Sequence, residues 1–252
     1  MRFYQVPPTG ERSARRNCGL KIVDCGLKNS KTADCRGEGM HLSALIFDFD
    51  GTLVDSKKDV FDSLMHAFSV CGITINPPDT AVIMQKQLSD AIKYVAPDIS
   101  AEKRSVISEA YKKHYDSSEY PNTTAMPGAQ DLLAACKNRG LPCSIVSNKR
   151  QFPMLRILEK LCLRDYFSAF FNPDTFNGKT PKKPELLAHA LSAQKLYHKT
   201  TAYVGDMEVD VRAAKENQMI SIAVTNGYGA EAAKAGKPDF VVKDLFGVIP
   251  IL

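Results

Sequence analysis

No stretch of this 252-residue chain is apolar over anything near the roughly 20 residues that a membrane-spanning helix needs. The amino terminus has no apolar central region, so no secretory signal is visible. Internal repeats and low-complexity tracts are missing as well. Seven cysteines are present, at 18, 25, 35, 71, 136, 143 and 162. That number is odd and no two of them stand at CxxC spacing, so a reducing cytosol is the expected setting and the protein is expected to be cytoplasmic. Cys71, Cys136, Cys143 and Cys162 lie in or beside apolar segments and read as small core residues. No stripe of Lys and Arg interleaved with aromatics exists, so the net charge of +5 is not the footprint of a nucleic-acid binder. It suits solubility, or a basic site mouth that attracts anionic esters. Neither a membrane nor a nucleic acid is therefore an expected partner.

What is present is an ordinary globular profile, 44% hydrophobic and 24% charged, long enough to bury a substantial core. Residues 45 to 56 read Leu-Ile-Phe-Asp-Phe-Asp-Gly-Thr-Leu-Val-Asp-Ser. An apolar strand here runs straight into Asp48 and Asp50. Alternation along a strand sends both to one side. A strand tip is also where open α/β sheets bind ligands. Two acids so placed repel each other unless something holds them, and Mg²⁺, a hard cation that takes carboxylates and phosphate oxygens, would do so. Asp-Gly is also a common turn signal, which is the plainer reading of the same residues.

Other strand tips carry polar groups. Ser147-Asn148 closes Ser144-Ile145-Val146, where a hydroxyl and an amide could donate to a phosphate or simply make a polar turn. Gly205-Asp206-Met207-Glu208-Val209-Asp210 follows Thr201–Val204, with Asp206 and Asp210 one helical turn apart. That pair suits a shared site, or an N-cap with a first-turn acid. Lys179, Lys182 and Lys183 crowd the segment before the helix that begins near Pro184.

Taken together, the motifs resemble the phosphatase branch of the haloacid dehalogenase superfamily, and among its members the phosphoglycolate phosphatases. The resemblance spans Leu45 to Asp210, in the family's motif order. It implies that Asp48 is the nucleophile and Asp50 the general acid and base; dehalogenase members lack that second aspartate. It implies that Ser147 binds the phosphoryl group, with Asn148 and Thr52 beside it. Mg²⁺ would be held by Asp48, Asp50 through its main-chain carbonyl, and Asp206, with Asp210 in support. A lysine neutralises nucleophile and phosphate: Lys183 is favoured, with Lys182 the alternative because the family's second proline is missing after Pro184. The implied activity is Mg²⁺-dependent hydrolysis of a small phosphorylated metabolite through an aspartyl-phosphate. A phosphomutase of the same branch and a non-catalytic binding protein are the rivals. The sequence names neither the substrate nor the oligomeric state.

The expected fold is α/β, a doubly wound parallel sheet (a Rossmann-like core) with a small all-helical cap inserted after the first strand. Residues 41–56 and 122–252 form the core and 57–121 the cap. The cap is expected from Val60, Phe61, Leu64, Met65 and Phe68 at helical spacing, a patch near Tyr94, Val95 and Ile99, and a third helix over Ala101–Tyr115. After Pro127-Gly128, helices and strands alternate, with strands at Leu141–Ser147, Ala169–Asn172, Thr201–Gly205, Ile220–Val224 and Phe240–Val242. Residues 1–40 show no sustained period and are expected to be an extension that adds nothing to catalysis, with Met40 a natural start before the first strand.

Overall fold

A computed structural model of the chain describes residues 41–176 and 181–252. The expectations for residues 1–40 and for Lys179 lie outside those residues.

The first strand, β1 (Ala44–Phe47), is followed by a two-residue strand β2 (Val54–Asp55) and four helices: α1 (Lys57–Val70), α2 (Thr80–Met84), α3 (Leu88–Val95) and α4 (Ala101–Ser117). Strand β3 (Thr124–Ala125) then pairs antiparallel with β2. Next come α5 (Ala129–Asn138), β4 (Cys143–Val146), α6 (Gln151–Lys160), β5 (Phe167–Phe171), α7 (Lys183–Gln194) and β6 (Thr201–Gly205). The chain finishes with α8 (Glu208–Glu216), β7 (Ile220–Val224), α9 (Ala230–Ala235), β8 (Phe240–Val242) and a 3₁₀ turn at Leu245–Ile251.

The main sheet has the order β5-β4-β1-β6-β7-β8, and each neighbouring pair is parallel. β1 thus sits centrally, with β4 on one side and β6 on the other. All four of its residues are buried. A parallel strand covered on both faces must be apolar throughout, which is why Ala-Leu-Ile-Phe reads as a continuous run. Leu45 and Phe47 join the larger apolar cluster with α5, α6 and the carboxyl-terminal turn, while Ile46 faces the opposite cluster with Leu186, Leu187, Tyr203 and Ala214. Helices therefore cover both faces.

The α1–α4 segment has an apolar cluster of its own, built on Leu64, Phe68, Ile83, Ile92 and Ile107. Two chain crossings, at β2 and β3, join it to the sheet. Asp59 ties them: it is buried and accepts from the Asn122 backbone N–H (3.1 Å), Asn122 Nδ2 (2.8 Å) and Thr123 Oγ1 (2.6 Å).

Three details differ from the sequence expectation. Two short strands that the sequence did not announce, Val54–Asp55 and Thr124–Ala125, pair just outside the helical segment 57–121. Tyr94, expected within an apolar patch, is half exposed, and Ala91 and Ile92 are the buried residues of α3. Cys162 is exposed at a positive φ of 56° rather than packed in the core, while Cys136 and Cys143 are buried. Its φ places it in the turn after α6, where the flanking Leu161 and Leu163 turn to the core and Cys162 points away. Among the described residues no helix is long and apolar enough to cross a membrane.

Candidate active site

Because β4, β1 and β6 are adjacent and parallel, their carboxyl ends lie side by side. Each ends in a polar residue named from the sequence: Ser147 after β4, Asp48 after β1 and Asp206 after β6. The backbone fixes them there. Asp48 N–H donates to the Val204 carbonyl (2.9 Å), and Ser147 N–H to the Phe171 carbonyl (3.1 Å), extending the ladder one residue past each strand. All three side chains are buried.

Lys183 opens α7, with Pro184 in the first turn, where a missing N–H costs nothing. Its Nζ lies 2.8 Å from Asp48 Oδ1 and 2.9 Å from Asp210 Oδ1, and its side chain is 3% exposed. Burial alone would depress the Lys183 pKa, but Asp210 and Asp48 outweigh it and push it up, so the ammonium stays charged. Lys182, one residue before, is exposed. Asp210 serves twice. One oxygen meets Lys183 and the other accepts from the Met207 N–H (3.0 Å), so the capping role left open by the sequence is also filled.

Asp48, Asp206 and Asp210 bring one carboxylate oxygen each to within 4.8 Å of one another. Asp48 is raised to about 6, chiefly by burial and further by Asp210, against the lowering pull of Lys183. Asp206 is raised to about 8, again chiefly by burial, with Asp210 and Asp48 adding repulsion. One lysine thus does not neutralise three buried acids. Whether a hard divalent cation suits this place is decided by two observations. Asp48 Oδ1 is buried and has no partner besides the Lys183 ammonium at 2.8 Å. Gly51 (φ +83°) and Gly227 lie so close to Asp206 that any Cβ at either position would strike its carboxylate. An under-satisfied oxygen, surplus negative charge and backbone kept clear of one carboxylate together fit a cation with oxygen ligands.

Asp50 stands apart from this cluster. Its Oδ1 accepts from Ser56 Oγ (2.5 Å), and its two oxygens lie 3.0 and 3.2 Å from Lys149 Nζ. Lys149 is also bonded to Tyr115 Oη of α4 at 2.7 Å. Thr52, expected among the phosphate contacts, gives its single proton to Asp206 Oδ1 at 2.8 Å instead, and is fully buried. It orients the acid rather than facing a ligand. Asn148 is exposed at the mouth of the cavity that Asp48 and Asp50 line.

The family model described as haloacid dehalogenase-like hydrolase matches residues 45–224. The chain belongs to that family. Two curated relatives are named phosphoglycolate phosphatase. One, from Neisseria gonorrhoeae, is 30% identical over 75% of this chain and 82% of its own. The other, from Neisseria meningitidis, is 29% identical over 81% and 91%. A solved structure described as a predicted phosphoglycolate phosphatase, from Haemophilus somnus, superposes with a TM-score of 0.75 at 20% identity, over 83% of this chain and 97% of its own. At that identity it speaks for the fold.

As a haloacid dehalogenase-like hydrolase, the chain brings together Asp48, Ser147, Lys183, Asp206 and Asp210, residues spread over positions 48 to 210 of the sequence but gathered at one sheet edge. Sequence reasoning missed the partners. Lys149, which directly follows Asn148, supplies the cation on Asp50. Tyr228 was not singled out; its N–H donates to Asp206 Oδ2 (2.7 Å) and its hydroxyl to Asp55 Oδ1 (2.9 Å). The available signal was Gly227-Tyr228-Gly229 just past a buried strand, a backbone able to approach closely.

Proposed function

We propose that this phosphatase cleaves a small phosphomonoester by two in-line displacements, with Asp48 as nucleophile and Asp50 as general acid and base. The observation that carries the reading is Lys183 Nζ at 2.8 Å from Asp48 Oδ1, beside Asp206 and Asp210. A buried ammonium there keeps Asp48 ionised enough to attack and meets the charge of an arriving phosphate. Asp48 forms a bond to phosphorus as the ester P–O bond breaks. Asp50 gives its proton to the departing alkoxide, then takes one from the water that cleaves the aspartyl-phosphate. Its separation from the acidic cluster supports that division of labour. Ser147 and the N–H groups around Asn148 are suited to hold the equatorial oxygens.

Asp48, Asp206 and the Asp50 carbonyl would hold the metal, which we take to be Mg²⁺. Bound there, it supplies charge that offsets the repulsion between carboxylate and phosphate. Asp210 positions Lys183, and Thr52 and Tyr228 position Asp206. Helices α1–α4 are the cap domain in this reading, because they carry a separate apolar cluster and close over Asp50 through Tyr115. The substrate is a small phosphorylated metabolite, met in the reducing cytosol.

The test is phosphate release in the presence of Mg²⁺. Asp48→Asn should abolish it while the far-ultraviolet circular dichroism stays unchanged. Residual turnover above about a tenth of wild type, about 1.4 kcal/mol of barrier, would remove Asp48 from the nucleophile's role. Conversion to a phosphorylated isomer without free phosphate would make the protein a mutase.

A further inference from the structure

A cavity of about 480 Å³ runs from Asp48 and Asp50 up to the α1–α4 helices. That volume falls in the range of ~300–1,000 Å³ which encloses drug-sized ligands, far more than a phosphate on a two-carbon acid occupies. Its upper wall carries an apolar stretch, bordered by the polar Gln85, Gln87, Ser89 and Ser108. Half-buried Val60, Met84, Leu88 and Tyr111 face it, backed by the buried Leu64 and Ile83.

The cations along this cavity are already engaged. Lys183 serves Asp48 and Asp210. Lys149 serves Asp50 and Tyr115. Arg150 grips Asp116 with two contacts, at 2.8 and 2.5 Å. Lys112 meets Glu109 at 2.6 Å, and the exposed Lys86 lies over the Tyr94 ring. Among the described residues lining the cavity, every arginine and lysine except Lys86 is paired with a carboxylate, and Lys86 sits exposed with the Tyr94 ring beside it. A carboxylate on the leaving group that was set against Met84 and Leu88 would lose its water there, which costs several kcal/mol for a charge.

We infer that the preferred leaving group is an alcohol with an alkyl or aryl part that packs on Val60, Met84, Leu88 and Tyr111, and not a short carboxylate. The inference rests on the phosphatase reading above and narrows its substrate class. The phosphoryl end stays where Asp48, Ser147 and Lys183 define it, and the apolar part fills the space beneath α1–α4.

The experiment uses the full chain with Mg²⁺ and measures phosphate release from ethyl, butyl and hexyl phosphate and from 2-phosphoglycolate. From ethyl upward the leaving alcohols are equally basic, so any trend reports contact with the wall. We expect kcat/KM to rise on the order of threefold per added methylene, and 2-phosphoglycolate to fall below butyl phosphate. Leu88→Asp should cut the hexyl-to-ethyl ratio by roughly tenfold. A flat series, an unchanged ratio in Leu88→Asp, or 2-phosphoglycolate as the best of the four would each overturn the inference and leave the phosphatase reading standing. No release from any ester would overturn the phosphatase reading, and this inference with it.

Discussion

Removing the metal should make this protein less stable as the pH rises, the reverse of ordinary acid denaturation. The cause is Asp206. In the fold its carboxyl is raised from 3.8 to about 8, first by burial and then by Asp210 and Asp48. Between those two values the native state holds a proton that the unfolded chain has released. The stability gained from that proton is fully present below about pH 4 and is lost as the pH climbs to about 8. The span is about four pH decades at about 1.4 kcal/mol each, so the loss is on the order of 5 kcal/mol. A domain is stable by only ~5–15 kcal/mol, so the metal-free protein should lie near unfolding at the alkaline end. Asp48, raised to about 6, faces the same cluster, and one proton there relieves both. Bound Mg²⁺ replaces the proton and should erase the trend. The assay is urea unfolding in EDTA and in Mg²⁺, followed by far-ultraviolet circular dichroism because the chain has no Trp. Asp206→Asn is the control, since it removes the ionising group. It also subtracts His114, which burial and His66 hold low and which therefore adds stability as pH rises. A metal-free stability that is flat or rising with pH, or one that falls equally in Asp206→Asn, would refute the reasoning.

Lys183→Met should cost far more turnover than Lys182→Ala, because Lys183 alone of the two is buried against Asp48 and Asp210; steady-state rates with Mg²⁺ decide it, and the opposite order would shift the motif by one residue. Gly51→Ala should weaken metal binding and lower the melting temperature, since it adds a Cβ against the Asp206 carboxylate at a φ of +83°; calorimetric Mg²⁺ titration that matched wild type would contradict it. Asp59→Ala should destabilise by about 2–3 kcal/mol, as it strands the Asn122 and Thr123 donors that it now receives; an unchanged urea midpoint would show that these bonds do not hold the two crossings together.

Most of the sheet was legible because a parallel strand covered on both faces leaves an uninterrupted apolar run. Thr201–Gly205, Ile220–Val224 and Phe240–Val242 were read to the residue. What escaped was short or paired at long range. Helix α2 has five residues, too few for a period, and β2–β3 has two residues per strand, joined across some 70 positions. Among the site residues, acids at strand tips announced themselves because a charge directly after an apolar run has few other uses. Thr52 was misread for a related reason. A hydroxyl beside a phosphate motif suggests a ligand contact, and nothing local reveals that Asp206, 154 positions later, takes its proton.

The same limit governs Lys149. Its meaning depends on Asp50, 99 positions before it, and on Tyr115, 34 before it, which meet only once the α1–α4 helices have folded back over the sheet edge. Arg150 and Asp116 close the same seam. The residues proposed for bond cleavage belong to the ends of β1, β4 and β6, and those proposed to decide what reaches them belong to the seam. The first set is written in short motifs, because adjacent parallel strands need only deliver one side chain each to a common edge. The second set is a property of two surfaces meeting, so Lys149 and Arg150 pair across it with groups from another element.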